Sequence, residues 1–232
     1  MSESRARILS KVKASLQAES RSPEAVAALE ARLSAPKRGL VPARGQLDAV
    51  GRLALFEKMA RAQSASFDHL DDMAEVPAAV SRYLKAENLP AELRRAPHPD
   101  LDALPWQEES LLTVESGRAQ GDDLVSLTAC FAAVAETGTL VLTSGPAGPT
   151  TLNFLPDTHI VVLRADQVVG PYEDLIDRLR AAYGARTMPR TVNFVTGPSR
   201  TADIEQTIQL GAHGPRRLHI LVVGAKAAGD HE

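Results

Sequence analysis

Three polar groups in this chain have the residue types to hold or transform an anion. The first is Gly197-Pro198-Ser199-Arg200, with Thr201, Asp203 and Glu205 close behind. It follows an apolar run, residues 191–196, and precedes a segment with helical spacing. A glycine turn that delivers a strand into a helix leaves the first helical N–H groups without internal partners. They lie at the positive end of the dipole and suit a carboxylate or phosphate. The second group is His213-Gly214-Pro215, where flanking glycine frees the imidazole to face a ligand. The third brackets the apolar run 139–143: Glu136, Thr137, Gly138 and Thr139 lead into it, and Ser144 follows it.

Much of this chemistry also has a structural reading. In the stretch 199–206, Thr201 or Asp203 suits a helix N-cap, and Asp203 with Gln206 has capping-box spacing. Glu205 is favoured near the positive end of a helix. Arg200 is not, since a cation there is disfavoured; it calls for a partner, either Asp203, Glu136 or an anionic ligand. For His213, a helix C-terminal cap is the more economical reading. His159 and His219 fall inside apolar runs and read as hydrogen-bonded structural residues. The six histidines show no pair at helical ligand spacing, so a histidine-built metal site has little support. Dinucleotide, P-loop, zinc-protease and nucleophile-elbow motifs are absent. The one cysteine, Cys130, sits among apolar neighbours as a small hydrophobe. A single thiol can neither close an internal disulfide nor hold an iron–sulfur cluster alone.

The elements that must position these groups follow from periodicity. Residues 4–18 read as an amphipathic helix, with Ile8, Leu9, Val12 and Leu16 on one face. Ser22-Pro23-Glu24 starts a second helix to about Leu33. Residues 34–45, with two prolines and three basic residues, form an exposed linker or a basic arm that closes over an acidic ligand or a neighbouring subunit. Helical patterns follow at 46–65, on a stripe of Leu47, Val50, Leu53, Phe56 and Met59, and at 75–85. Residues 92–96 suggest a strand at a sheet edge, Trp106 a packing anchor for its loop, and His98 a solvated turn residue. A short strand is expected at 111–115, and 129–135, rich in small residues, suits a helix. Further strands are expected at 139–143, 158–163, 191–196 and 218–223. Residues 171–183 carry the clearest helix signal, with Pro171 at its start and Gly184 as its stop. The connection 145–157 is long enough to suggest function.

This order gives an α/β fold, a mixed, mostly parallel sheet flanked by helices, with an N-terminal helical extension over 1–45 and the α/β domain over 46–232. Ligands in such sheets lie outside the carboxyl ends of strands. The loops after Thr143 and Thr196 are therefore expected to share one pocket. A net charge of −3, with 24% charged and 44% hydrophobic residues, fits a soluble globular protein without broad nucleic-acid affinity. No apolar stretch reaches the roughly 18 residues of a membrane span. The charged first residues lack the apolar core of a signal peptide, and a cytoplasmic location is expected.

The segments AETGTLVL, LPDTHIVVL and TGPSRTADIEQTIQLGAHGPRRLHILVV resemble the signature stretches of the lactate-utilisation protein C family, the LUD domain. The resemblance covers residues 111–223. It implies a fold like that of the glucosamine-6-phosphate isomerase, ribose-5-phosphate isomerase and CoA-transferase group. It also implies a part in oxidising L-lactate to pyruvate beside iron–sulfur and cysteine-rich partner proteins. On this reading the chain itself carries no cofactor and acts as a non-redox accessory or regulatory subunit binding a small carboxylate or phosphorylated ligand, with room for homo-oligomers. The ligand-binding set is then Thr137, Gly138, Thr139, Ser144, Gly197, Pro198, Ser199, Arg200, Thr201, Asp203, Glu205, His213 and Gly214. The alternative is an enzyme of the CoA-transferase or sugar-phosphate-isomerase kind, with Glu136 as nucleophile or base. Relatives often place an arginine before the LP-x-x-HI segment, where this chain has Gly148-Pro149-Thr150-Thr151-Leu152. Arg200 would then carry more of the anion binding.

Overall fold

Strands form at each apolar run in the second half of the chain, fully buried in the central ones and half-exposed at Val192–Val195. The computed structural model describes residues 3–16, 22–184, 186–201 and 209–224. It divides into two units, Met1–Gly39 and Leu40–Glu232.

In the first unit, helices α1 (Glu3–Ser15) and α2 (Pro23–Ser34) form where the apolar spacing placed them. Ser22 caps α2, its Oγ accepting the Ala25 N–H at 3.2 Å. The apolar residues Ile8, Leu9, Val12, Leu16, Val26, Leu29 and Leu33 are all exposed.

The second unit opens with a 3-10 turn at Ala43–Gly45 and helix α3 (Ala49–Ala62), capped by Asp48. Only part of its predicted stripe is covered: Phe56 is buried, whereas Leu47 and Val50 are exposed. Strand β1 (Ser66–Leu70), helix α4 (Val76–Ala86), strand β2 (Glu92–Arg95), the short helix α5 (Pro99–Asp102) and strand β3 (Thr113–Ser116) follow. His98 caps α5, and Trp106 packs against the core with Nε1 donating to the Leu101 carbonyl at 2.8 Å. Then come β4 (Val125–Ala129), β5 (Ala132–Val134), β6 (Thr139–Thr143), β7 (Thr158–Arg164) and β8 (Val168–Val169). Helix α6 (Tyr172–Tyr183), strands β9 (Val192–Val195), β10 (Arg200–Thr201), β11 (Gln209–Leu210) and β12 (Arg217–Val223) complete the unit.

Six strands form a parallel sheet in the order β1-β12-β7-β4-β2-β3, and four form a second, mixed sheet, β8-β5-β6-β9. Along β7, Ile160 and Val162 face a cluster built with α4 and α5, while Val161 and Leu163 face one built with α3 and the second sheet. Both faces are covered, which is why β7 and β12 read as continuous apolar runs rather than alternating ones. Helix α6 closes the far face of the second sheet through Leu175 and Leu179.

Three expectations need correction, and one strand was not anticipated. Residues 129–135 are not a helix; they end β4 and form β5. Their alanines allow the close layering of two sheets that larger side chains would prevent. Cys130 sits at the crossing with its backbone N–H on the Val162 carbonyl at 2.9 Å, and burial pushes its thiol up to about 12. Strand β2 is not at an edge, because β3 pairs outside it. The edge strand β1, with its alternating Ser-Phe-Asp-His-Leu, escaped the search for apolar runs. Finally, no helix begins at Arg200: Arg200 and Thr201 pair antiparallel with Leu210 and Gln209. Thr201 is therefore a strand residue, and His213 follows the ribbon strand β11; residues 202–208, over which the helix was expected, lie outside the described residues. Asp203 and Glu205 lie outside the described residues.

Candidate functional site

The turn at Gly197 takes a left-handed conformation, φ +81°, and a Cβ there would lie 2.4 Å from the Gln63 carbonyl oxygen. Gly138, φ +69°, presses equally close on the Met59–Ala60 backbone. Two glycines from the second sheet thus clamp the end of α3, and only glycine tolerates both the angle and the approach. Beyond Gly197 the chain crosses the loop that follows β11. Ser199 N donates to the Pro215 carbonyl at 2.8 Å, Gly211 N to the Ser199 carbonyl at 3.0 Å, and His213 N to Ser199 Oγ at 3.3 Å.

These contacts shape a cleft of about 260 Å³. One wall is Thr196, Gly197, Pro198, Ser199 and Arg200, and another is His213, Gly214 and Pro215. The remainder comes from Asn153 and Phe154 of the long loop, Phe194 and Val195 of β9, and His159 and Leu218 at the amino ends of β7 and β12. The cleft therefore lies at the start of the central parallel strands and not, as expected, at their carboxyl ends. Its lining combines apolar rings with a few converging polar groups, the usual make-up of a small-molecule site.

Charge is supplied by Arg200, whose guanidinium donates to the Ser64 hydroxyl at the end of α3. Among the described residues no carboxylate lies within ion-pair distance of it, so Glu136 does not account for this cation. His159 is fully buried; its Nε2 shares a 2.7 Å hydrogen bond with Thr128 Oγ1, and burial pushes its pKa down to about 3. It contributes a neutral imidazole.

The structure thus brings together Gly197, Pro198, Ser199, Arg200, His213 and Gly214, and separates the rest. Thr137 and Thr139 join the site only indirectly. Thr139 Oγ1 bonds to Thr196 Oγ1 and to Thr137 Oγ1, both at 2.7 Å, and to the Tyr172 hydroxyl at 3.1 Å. Glu136 is buried outside the cleft lining and is paired with Arg44 at 3.5 Å, an ion pair within the chain rather than with a ligand or a neighbouring subunit. Gly45 beside it packs on Gly170, where a Cβ would meet the Gly45 carbonyl oxygen at 2.0 Å.

Ser144 is excluded from the site. β6 and β9 run antiparallel, with Thr143 opposite Val192 and Leu140 opposite Val195. The loops after Thr143 and after Thr196 therefore leave opposite ends of this pair, about 17 Å apart for a five-residue strand. The two loops still share the cleft, as expected, but the first reaches it only far along its length, through Asn153 and Phe154, and not through Ser144. Asn153, Phe154, His159, Phe194, Val195 and Leu218 were missed as lining residues. The length of the 145–157 loop was the one sign pointing to two of them. The stretch 148–152 of this loop ends packed inward, with Leu152 buried and its carbonyl accepting from Ser126 Oγ at 2.6 Å.

Comparison with known proteins agrees with this architecture. Residues 53–223 match the LUD domain model. Lactate utilization protein C of Deinococcus radiodurans is 33% identical over 179 residues, covering 73% of this chain and 78% of that protein. Its counterpart in Halalkalibacterium halodurans is 36% identical over 102 residues, covering 43% and 44% respectively. The match therefore spans under half of that second relative. The crystal structure of a DUF162 family protein from D. radiodurans is similar with a TM-score of 0.58 and 27% identity, covering 77% of this chain and 99% of that one. With the domain match taking in most of the α/β unit, and a relative one third identical across most of both chains, this chain belongs to the LUD domain family.

Proposed function

We propose that this protein works in L-lactate utilisation as a non-redox accessory or regulatory subunit that holds a small organic anion. The pathway rests on the relatives named lactate utilization protein C. The observation that carries the ligand is the cleft between residues 197–200 and 213–215, where Arg200 has no carboxylate partner among the described residues. A cation placed on a partly apolar cleft recruits a carboxylate or phosphate group, and the apolar walls suit a short carbon chain. With one cysteine in the chain, the clusters that move electrons belong on iron–sulfur and cysteine-rich partners. No helix among the described residues is long and apolar enough to cross a membrane.

Glu136 as a catalytic carboxylate finds less support. Its carboxylate is engaged by Arg44, and its backbone N–H donates to the Gly170 carbonyl at 3.2 Å, as a turn residue's would. Titration calorimetry with L-lactate tests the binding reading. Arg200→Gln should weaken binding at least about tenfold, as expected for a lost charge-assisted hydrogen bond, while Ser144→Ala leaves it unchanged. Equal affinity in wild type and Arg200→Gln would refute the assignment.

A further inference from the structure

Two histidines of the central sheet are buried with one ring nitrogen satisfied and the other not. His219 has Nδ1 on Ser66 Oγ at 2.9 Å, with Nε2 unpaired. Its ring is covered by Tyr83, stacked at 3.9 Å, and Asp68 lies 3.9 Å from Nε2. His159 bonds Thr128 through Nε2, and its Nδ1 has no partner among the described residues. Only His159 borders the cleft that also holds Arg200. A buried ring nitrogen left without a partner is destabilising, and native structures rarely leave one so without a reason.

Burial keeps His159 neutral, so it offers the cleft one N–H or one lone pair and no charge. The Thr128 hydroxyl can donate to Nε2 or accept from it. Nδ1 is accordingly a donor in one tautomer and an acceptor in the other. An alcohol satisfies both. At about 260 Å³ the cleft falls below the roughly 300–1,000 Å³ of sites for drug-sized ligands. A molecule of few carbons has to meet both Arg200 and His159.

We infer that His159 is a specificity-determining residue of this cleft, whose ligand is a few-carbon hydroxycarboxylate with its carboxylate on Arg200 and its hydroxyl on His159 Nδ1. The inference rests on the anion-binding reading above. It goes further in requiring that the site distinguish an acid bearing a hydroxyl from the same acid without one. A site built around a hydrogen bond to a hydroxyl rejects the analogue lacking it, because its own polar group is then left buried and unpaired.

The test compares L-lactate with propionate, which lacks only the hydroxyl, by calorimetry on the full chain. Wild type should bind lactate at least about tenfold more tightly. In His159→Phe the two acids should bind alike, with propionate affinity retained. His159→Asn, whose amide stands near the Nδ1 position, should keep the preference. Equal affinities in wild type would overturn the role of His159 and leave anion binding standing. Failure of both acids to bind would overturn both readings. A folded His159→Phe that keeps the tenfold preference would show that another group reads the hydroxyl. If His159→Phe does not fold, the wild-type comparison decides.

Discussion

Thr143-Ser144-Gly145-Pro146 and Thr196-Gly197-Pro198-Ser199 are built from the same four residue types, yet they end in different structures. The first is closed on itself. Ser144 N donates to the Thr191 carbonyl at 2.9 Å, and Ser144 Oγ accepts the Thr191 N–H at 2.8 Å. Gly145 and Gly148 exchange backbone hydrogen bonds at 3.3 and 3.1 Å. The second turn is held from outside, by Gln63 of the α3 terminus and by Pro215, and its outer surface forms a wall of the cleft. What separates them is what each glycine meets, since both stand two residues past the end of their strand. Gly197 adopts a left-handed turn against α3 and carries Arg200 toward Ser64. Gly145 has no neighbour within 4 Å of a Cβ and no positive φ. Residue type proposed both turns as binding loops; packing selects one.

The cleft end rests on a histidine that must stay neutral, and acid tests it most strongly. Burial lowers His159 to about 3 and His219 to about 4, the latter partly offset by Asp68. The unfolded values lie near 6.5, so between these limits the unfolded chain binds more protons than the folded one. Stability is therefore fully present above about pH 6.5 and falls as pH drops toward 4. At pH 5 each histidine should remove on the order of 2 kcal/mol, about 4 together. Urea denaturation at pH 7 and pH 5 measures the difference; matching curves would mean the rings are not held neutral by burial.

Glycine substitution separates the two turns directly. Gly197→Ala places a Cβ 2.4 Å from a backbone oxygen at φ +81° and should lose about 2–3 kcal/mol. Gly145→Ala meets nothing and should stay within about 0.5 kcal/mol of wild type. Similar losses at both positions, read from thermal or urea melts, would contradict the close packing of Gly197 on α3.

Legibility in the sequence followed the same division. Strands β6, β7 and β12 were readable because burial on both faces leaves an unbroken apolar run, β9 because its valines and Phe194 favour strand, and α6 because Glu173, Asp174 and Gly184 mark its ends. The grouping of residues 197–200 with 213–215 was also visible, through glycine, proline and an otherwise misplaced arginine. Three things were not. An antiparallel pairing between strands some fifty residues apart has no local signature, and that pairing moved Ser144 away from the site. The segment 129–135 carries alanines, which favour helix by propensity but here serve a thin layer between sheets. His159 looked structural because one of its nitrogens is; only the fold shows that the residue borders the cleft and leaves its other nitrogen unpartnered among the described residues.

The smallest expected difference lies in the hydroxyls at the two ends of the β6–β9 pair. Thr139 Oγ1 is completely buried and meets Thr137, Thr196 and Tyr172, which is all a hydroxyl can bond with its one donor and two acceptor positions. Thr196→Val keeps the shape and removes one of these partners, so about 1 kcal/mol should be lost. At the other end, Thr143 Oγ1 accepts from the Tyr183 hydroxyl at 2.9 Å and is only half-buried, so water can replace what is removed. Thr143→Val should therefore fall within about 0.5 kcal/mol of wild type. The pair of urea melts decides whether the hydroxyl cluster supports the cleft: a Thr143→Val loss equal to that of Thr196→Val would make the two ends energetically alike and leave Gly197 alone responsible for their difference.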